Sequence, residues 1–357
     1  MLELDGGEAG GQFLRTALAL AAIDDRPVRL ENVRGARSPS GLRHQHLAVV
    51  ETVAAVCDAE VSGAELGAET VTFEPDVGDG VPGGEYAVDI GTAGSVTLLF
   101  DALLPLATRL DGPLAVTATG GTDVAWSPPL DYHRRVKLPL LGRFGLHAAL
   151  EGDGRGFYPD GGGRATLRLA PSTLEPIRLV DRGAREAVRL YSTESADLAD
   201  RDVAHRQAEG ALERLDPDEW GLDVRERVET SAESPSPGSA LVCRLEFAES
   251  LAGVDALGER GKPAERVGEE AADAARRLLA GSAAVDRHLA DQLLVFLALA
   301  GGRVRIPAVT EHVETSLELL SAFGIELSVE PPGDAGEPAG PSSESAGRTD
   351  ERIVVAE

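Results

Sequence analysis

The chain has 357 residues, 43% of them hydrophobic, which suits two compact domains with true cores. Sixty acidic against 34 basic residues give a formal charge of −26, and only Lys137 and Lys262 are lysines, the composition of a salt-adapted protein. Such a surface repels polyanions at low ionic strength, so composition alone argues against a nucleic-acid binder and makes any local cluster of cations informative.

In chain order, the first feature is LDGGEAGGQFLR, a strand, a glycine-rich turn and the start of a helix, with Glu8, Gln12 and Arg15 spaced by four and three residues. A turn of this kind presents backbone N–H groups to an anion. It carries neither the Gly-Lys-Ser/Thr of a Walker loop nor a dinucleotide fingerprint, and a tight structural turn is its blander reading. No basic stretch followed by an apolar run precedes it, and no apolar run reaches membrane-spanning length, so a cytoplasmic protein is expected.

VRGARSPSGLRHQHL follows, with Arg34, Arg37, Arg43, His44 and His46 and no acidic residue between Arg34 and His46. A solvated loop is the alternative, but acidic adaptation dilutes such a cluster unless an anion needs it, so the pattern points to phosphate binding. Cys57, like Cys243 later, lies in apolar surroundings that suit a core thiol, and the pair supplies neither a disulfide framework nor a zinc-ligand spacing. DIGTAGSVTLLF and TGGTDVAWSPPLDY place Gly, Ser and Thr at strand-to-helix junctions, where hydroxyls and amides meet ligands. DYHRRVK, Asp131 to Lys137, is a second basic cluster and reads as a helix face. Near the end, RHLADQL sets His288, Asp291 and Gln292 on adjacent helical turns, and PAVTEHVETS puts His312 at a strand-to-helix junction. A histidine at a helix start is most often a cap or surface residue.

Three stretches starting at Gly41, Pro129 and His312 share a helical period that stops at Gly or Ala and changes to alternation. Each is preceded by a strongly apolar helix: GGQFLRTALALAA, AGSVTLLFDALLPLA and LADQLLVFLALAG. The pattern predicts an α/β (α+β) fold of three repeated βα units, with apolar helices buried and sheets outward. From Glu186 to Leu279 it breaks into a charged stretch that reads as an inserted small α+β domain. Residues 1–185 and 280–357 are then the two parts of the main domain. Pro331 to Glu351, rich in Pro, Gly and Ser, is expected to be a disordered loop before a last strand.

Taken together, DGGEAGGQFLRTALAL, RGARSPSGLRHQHL, GAELGAETVTFEP, DIGTAGSVTLL, TGGTDVAWSPPLDYHRRV, GRGFYPDGGG, GERGKPAE, GSAAVDRHLADQL and TEHVETSLELL resemble, in order and over essentially the whole chain, the RNA 3'-terminal phosphate cyclase family. The resemblance implies a main domain of three α/β units, similar to the enolpyruvyl transferases, interrupted by a smaller domain. It implies that His312 is the nucleophile that takes AMP from ATP, that Glu8 helps hold Mg²⁺ or Mn²⁺, and that Gln12 and Arg15 line the phosphate site. Asp291 and Gln292, with Leu289 and Ala290 beside them, are implied to meet the nucleotide. Pro128 forms one wall beside adenine, and His288 stands where the family has a tyrosine as the other. Arg37 and Arg43 are implied to grip the phosphates of the RNA 3'-end.

Several positions depart from the family pattern. The first glycine-rich turn is about two residues short, Ala9 replaces a glycine, Ser316 an asparagine, and Asp101 a nucleotide-contacting glutamine. A bare carboxylate at Asp101 is expected to repel phosphate unless a cation bridges it. Two rival readings are a catalytically silent ribosome-assembly scaffold of the same family, against which His312 speaks, and an enolpyruvyl transferase, against which RHLADQL and TEHVETS speak.

Overall fold

A computed structural model of the chain describes residues 1–332 and 350–357. The first unit runs β1 (Leu2–Asp5), α1 (Gly11–Ile23), β2 (Val28–Glu31), α2 (His44–Val56), β3 (Glu60–Ser62) and β4 (Val71–Glu74). The second runs β5 (Gly84–Asp89), α3 (Val96–Leu103), β6 (Leu114–Gly120), α4 (Leu130–Tyr132), a π-turn (His133–Lys137), α5 (Leu138–Gly142), β7 (Ala148–Gly154) and β8 (Gly163–Leu169). The third opens with β9 (Ile177–Leu179) and is interrupted by β10 (Arg185–Ser195), α6 (Val203–Leu215), α7 (Pro217–Trp220), β11 (Asp223–Ala232), β12 (Ser239–Phe247), β13 (Leu251–Leu257) and α8 (Ala264–Ala280). It resumes with α9 (Arg287–Gln292), α10 (Leu294–Ala300), β14 (Gly302–Ile306), α11 (Glu311–Ala322), β15 (Leu327–Glu330) and β16 (Arg352–Ala356).

The repeat expected from the sequence is present in the pairing. The sheets are ordered β1-β2-β4-β3, β5-β6-β8-β7 and β9-β14-β16-β15. In each, the first two strands are parallel and the remaining contacts are antiparallel. Strands β6 and β8 alternate buried with more exposed residues, so one face packs on helices and the other faces solvent. The apolar helices fill the space between sheets: Leu14, Leu18 and Leu20 of α1, Leu99 and Phe100 of α3, and Phe296 and Leu297 of α10 are all at most 2% exposed. Each such leucine contributes roughly 1.5–3 kcal/mol by burial.

The segment from β10 to α8 has its own sheet, β11-β10-β12-β13, and its own apolar core with α6 and α8. The two helices approach closely because Gly268 carries no side chain: a Cβ there would lie 2.1 Å from the Gln207 carbonyl oxygen. Strand β12 is buried on both faces, since its other face and β13 lie against the main domain, where a Cβ on Gly253 would meet Val136 and Tyr132 at 2.6 and 2.9 Å.

Residues 333–349, the body of the expected loop, lie outside the described residues. Its last residue departs from the expectation. Glu351 is buried, accepts from the Ser282 and Ala283 N–H groups at 2.7 and 3.2 Å and from the Ser282 hydroxyl, and so caps the turn after α8. Cys57 and Cys243 are buried thiols, and burial pushes both up to about 12. Among the described residues no helix is long and apolar enough to cross a membrane.

Candidate functional site

The first and third units meet where the glycine-rich turn and α1 pack against α11, with α9 beside it. Thr310 caps α11 by accepting from the Val313 N–H at 3.3 Å, which leaves His312 exposed in the first turn. A Cβ built on Gly10, the residue before α1, would lie 3.9 Å from His312 Cε1, so the imidazole stands against the glycine-rich turn. One turn along each helix, the Gln12 amide donates to the Ser316 hydroxyl at 3.2 Å and locks α1 to α11. Helix starts and glycine turns both offer unpaired N–H groups to an anion, and here the two face each other.

Arg15 lies deeper. Burial lowers its pKa, opposed by the charges of Asp101 and Asp291, which places the three in one electrostatic cluster. Asp291 is raised by burial, while His312, His288 and Lys137 pull it down. The expected bare carboxylate at Asp101 is instead one half of an ion pair. Lys137 Nζ is 2.5 Å from its Oδ1, and His133 Nε2 is 2.7 Å from the same atom. Burial opposes ionisation of Asp101, but Lys137 and His133 together outweigh it and hold the carboxyl below the usual range. His133 is pushed down by burial, so the neutral ring donates through Nε2 and its buried Nδ1 has no partner among the described residues. The DYHRRVK stretch is therefore more than a helix face: its π-turn buries His133 and Lys137 inside the site.

His288 is organised by three neighbours. Its Nε2 is 2.9 Å from Asp255 Oδ1 of β13, and its ring meets Tyr132 edge-on at 5.2 Å. Asp286 caps α9, accepting from His288 and Leu289 N–H groups, and also takes the Tyr132 hydroxyl at 2.6 Å and the Gly253 N–H at 2.8 Å. Burial works against a charge on His288, but the Asp255 hydrogen bond and the Asp255, Asp286 and Asp291 charges raise it to about 9. The flat face expected of His288 is thus an imidazolium at neutral pH. Pro128 is buried and its carbonyl accepts from Thr97 at 2.9 Å. Leu289 and Ala290 point into the core at 0% and 1% exposure, so only their backbone is left to meet a ligand. Gln292 Oε1, like His133 Nδ1, is buried without a partner among the described residues, and such atoms are what a bound polar ligand would satisfy.

The basic loop docks on the glycine-rich turn. Ala36 N–H donates to Gly7 O at 2.7 Å, and a Cβ on Gly35 would lie 3.1 Å from Gly7 Cα. Arg34 staples the loop through the Pro39 and Gly41 carbonyls at 3.1 and 3.0 Å, while Arg37, Arg43 and His44 stay exposed. His46 accepts from the Arg43 N–H through Nδ1 at 3.3 Å. Burial, with Arg15, Arg34 and Arg43 nearby, lowers it to about 3 and keeps it neutral. Gly11 cannot be larger, since a Cβ would lie 2.5 Å from His46 Nε2. Glu8 is exposed in the turn, and among the described residues no group of three or more His, Cys, Asp or Glu gathers to hold a metal. A single carboxylate fits a Mg²⁺ ion whose other ligands are phosphate oxygens and water.

Tyr132, His133, Lys137, Asp255 and Asp286 were not among the residues read from sequence as site candidates. Lys137 carried a signal, as one of two lysines in the chain. Asp255 carried none, because it reaches the site only through the packing of the inserted segment.

A profile of the family described as RNA 3'-terminal phosphate cyclase matches residues 6–329. The RNA 3'-terminal phosphate cyclase of Halobacterium salinarum is 49% identical over 92% of this chain and 96% of its own length. Those of Methanopyrus kandleri and Pyrobaculum aerophilum are 43% and 41% identical, over 95% and 90% of this chain and 97% and 92% of theirs. Among solved structures, the enolpyruvyl transferase NikO from Streptomyces tendae overlaps 46% of this chain and 32% of that chain at 17% identity, with a TM-score of 0.27.

Proposed function

The chain belongs to the RNA 3'-terminal phosphate cyclase family, and from that membership we propose that it uses ATP to convert an RNA 3'-terminal phosphate to a 2',3'-cyclic phosphodiester. The observation that carries the mechanism is His312, exposed in the first turn of α11 and set against the Gly10 turn.

An imidazole nitrogen of His312 attacks the α-phosphorus of ATP, the bond to the bridging oxygen breaks, and pyrophosphate leaves. Arg15 and the N–H groups of the glycine-rich turn and α11 face the phosphates, while Gln292 and His133 offer their unpaired atoms to the nucleotide. Glu8 would help hold a divalent cation, which when bound would supply charge neutralisation of the leaving pyrophosphate. A 3'-phosphate oxygen of the RNA then takes AMP from the histidine. The 2'-hydroxyl, about 3 Å away on the same ribose, attacks the activated phosphorus, loses its proton, and expels AMP. Arg37 and Arg43 hold the RNA phosphates. The acidic composition supports an enzyme that works in concentrated salt.

The test is incubation with ATP labelled in the α-phosphate. The parent protein is expected to retain labelled AMP and to make a 3'-phosphorylated oligoribonucleotide resistant to phosphatase, and H312A is expected to do neither. A silent scaffold or an enolpyruvyl transferase would retain no label. Labelling that survives in H312A would overturn the assignment of the nucleophile.

A further inference from the structure

Aromatic residues make up 4% of the chain, and there are two tryptophans. One of them, Trp126, is 99% exposed, and Tyr158 is 77% exposed. Trp126 also holds a left-handed backbone at φ 63°, a conformation that a bulky side chain adopts only when its surroundings impose it. The surroundings do so. Beneath the loop, Arg155 bridges Asp123 and Asp131, all three buried, and the Thr122 and Asp123 N–H groups donate to the Gly156 carbonyl at 2.9 and 3.2 Å. Ser127 bonds back to Val124 O at 3.1 Å. The base is rigid and the indole is presented outward.

Both exposed rings rise from loops packed on Ala93 and Gly94. A Cβ on Gly121, in the Trp126 loop, would lie 2.5 Å from Ala93 O. One on Gly161, in the Tyr158 loop, would lie 2.8 Å from Ala93 Cα. On its other side the same segment meets the start of α2, where Ser95 N–H donates to Gln45 Oε1 at 3.3 Å and a Cβ on Gly94 would lie 3.1 Å from Gln45 Cβ. Arg43 and His44, exposed residues of the basic loop, immediately precede Gln45. Two exposed aromatic rings thus rise from loops packed on one side of a segment whose other side meets the start of α2, next to exposed Arg43, in a protein that is otherwise strongly acidic.

We infer that Trp126, with Tyr158 beyond it, is a stacking platform for bases of single-stranded RNA upstream of the reacting end, whose phosphates lie along Arg37 and Arg43. This rests on the proposed function and names the part of the substrate that the loop reads. Stacking on an exposed ring is tolerant of sequence, because every base has a π-face, and it survives the high salt that weakens phosphate contacts.

The experiment uses W220F protein, in which Trp126 is the only tryptophan, since Trp220 lies apart in the inserted segment between Arg185 and Arg276. Titrating a 3'-phosphorylated oligoribonucleotide should quench Trp126 emission. An oligonucleotide of the same backbone, abasic upstream of its terminal nucleotide, should leave the emission unchanged. In a cyclisation assay W126A should raise KM for the full oligonucleotide by roughly 5- to 150-fold, leave KM for the abasic one within twofold, and be largely rescued by W126Y. Quenching by ATP alone with no further change on adding RNA would assign the ring to the nucleotide and overturn the inference. Cyclisation by the parent protein with unchanged Trp126 emission would overturn the inference alone. Failure of the parent protein to cyclise any 3'-phosphorylated RNA would overturn the reading on which it rests, and the inference with it.

Discussion

Removing the Lys137 ammonium tests the charge arrangement at the centre of the site. Lys137 and Asp101 are 2% and 11% exposed, with Nζ 2.5 Å from Oδ1. At an effective dielectric of about 20, two charges at that separation attract by about 7 kcal/mol before desolvation is subtracted. In K137M the aspartate loses that partner and keeps only the His133 hydrogen bond, and breaking a buried pair in this way costs about 3–5 kcal/mol. A ceiling follows from protonation. Starting from a reference value of 3.8, neutralising the carboxyl at pH 7 costs about 4 kcal/mol, at 1.36 kcal/mol per pH unit.

The sign of the pH dependence follows from the same pair. In the parent, the folded carboxyl titrates below 3.8, so its stabilisation is present above that value and is lost only as pH falls through the folded pKa. Between pH 7 and 5 the parent's contribution is flat. In K137M the folded carboxyl titrates above its unfolded value, so the variant gains stability as pH falls. The deficit should be about 3–4 kcal/mol at pH 7 and smaller by up to about 2.5 kcal/mol at pH 5. Denaturant unfolding of parent, K137M and K137M/D101N in molar KCl measures it, and the double variant should recover part of the loss. A K137M deficit under about 0.5 kcal/mol, or one that does not change with pH, would refute the reasoning.

Because His288 is raised to about 9 from 6.5, its contribution to stability should be fully present below pH 6.5 and lost as pH rises through 9. H288Q should remove that part of the stability profile, which thermal unfolding against pH reads directly. E351A uncaps the Ser282 and Ala283 N–H groups and should cost about 1–3 kcal/mol in denaturant unfolding. RNA affinity should pass through a maximum as KCl rises, since repulsion from a charge of −26 is screened before the close Arg37 and Arg43 contacts are. A monotonic fall, with the protein folded throughout by circular dichroism, would contradict this.

The repeat was legible because its cause is local. Each unit needs an apolar helix to cover a sheet, and GGQFLRTALALAA, AGSVTLLFDALLPLA and LADQLLVFLALAG announce that need in their composition. His312, Gln12 and Arg15 were legible through motifs, and the structure sets them around one turn. What could not be read was pairing between distant segments. Nothing in the neighbourhood of Asp101 says that Lys137 and His133 neutralise it, because that depends on the π-turn rotating both side chains toward α3. Nor does RHLADQL say that His288 is charged, since Asp255 arrives from a strand of the inserted segment. Local periodicity sets helices and strands, and long-range contacts set protonation.

The same distinction bears on how so acidic a chain would offer the proposed surface to RNA. In the inserted segment most arginines are paired, Arg201, Arg260 and Arg277 excepted among the described residues: Arg189, Arg206, Arg214, Arg225, Arg227 and Arg276 each hold a carboxylate at the surface. A phosphate would have to displace that carboxylate and meet the remaining acidic field, so those cations are of little use to a polyanion. Among the described residues Arg37 and Arg43 form no ion pair, and Arg34 spends its hydrogen bonds on backbone carbonyls that shape the loop instead. Free guanidinium groups beside the glycine-rich turn keep their full donor set for phosphate. An exposed pair is worth only about 0–1 kcal/mol, so leaving Arg37 and Arg43 unpaired costs the fold little. Guanidinium groups free of carboxylates beside the glycine-rich turn are therefore what the proposed RNA surface offers to phosphate.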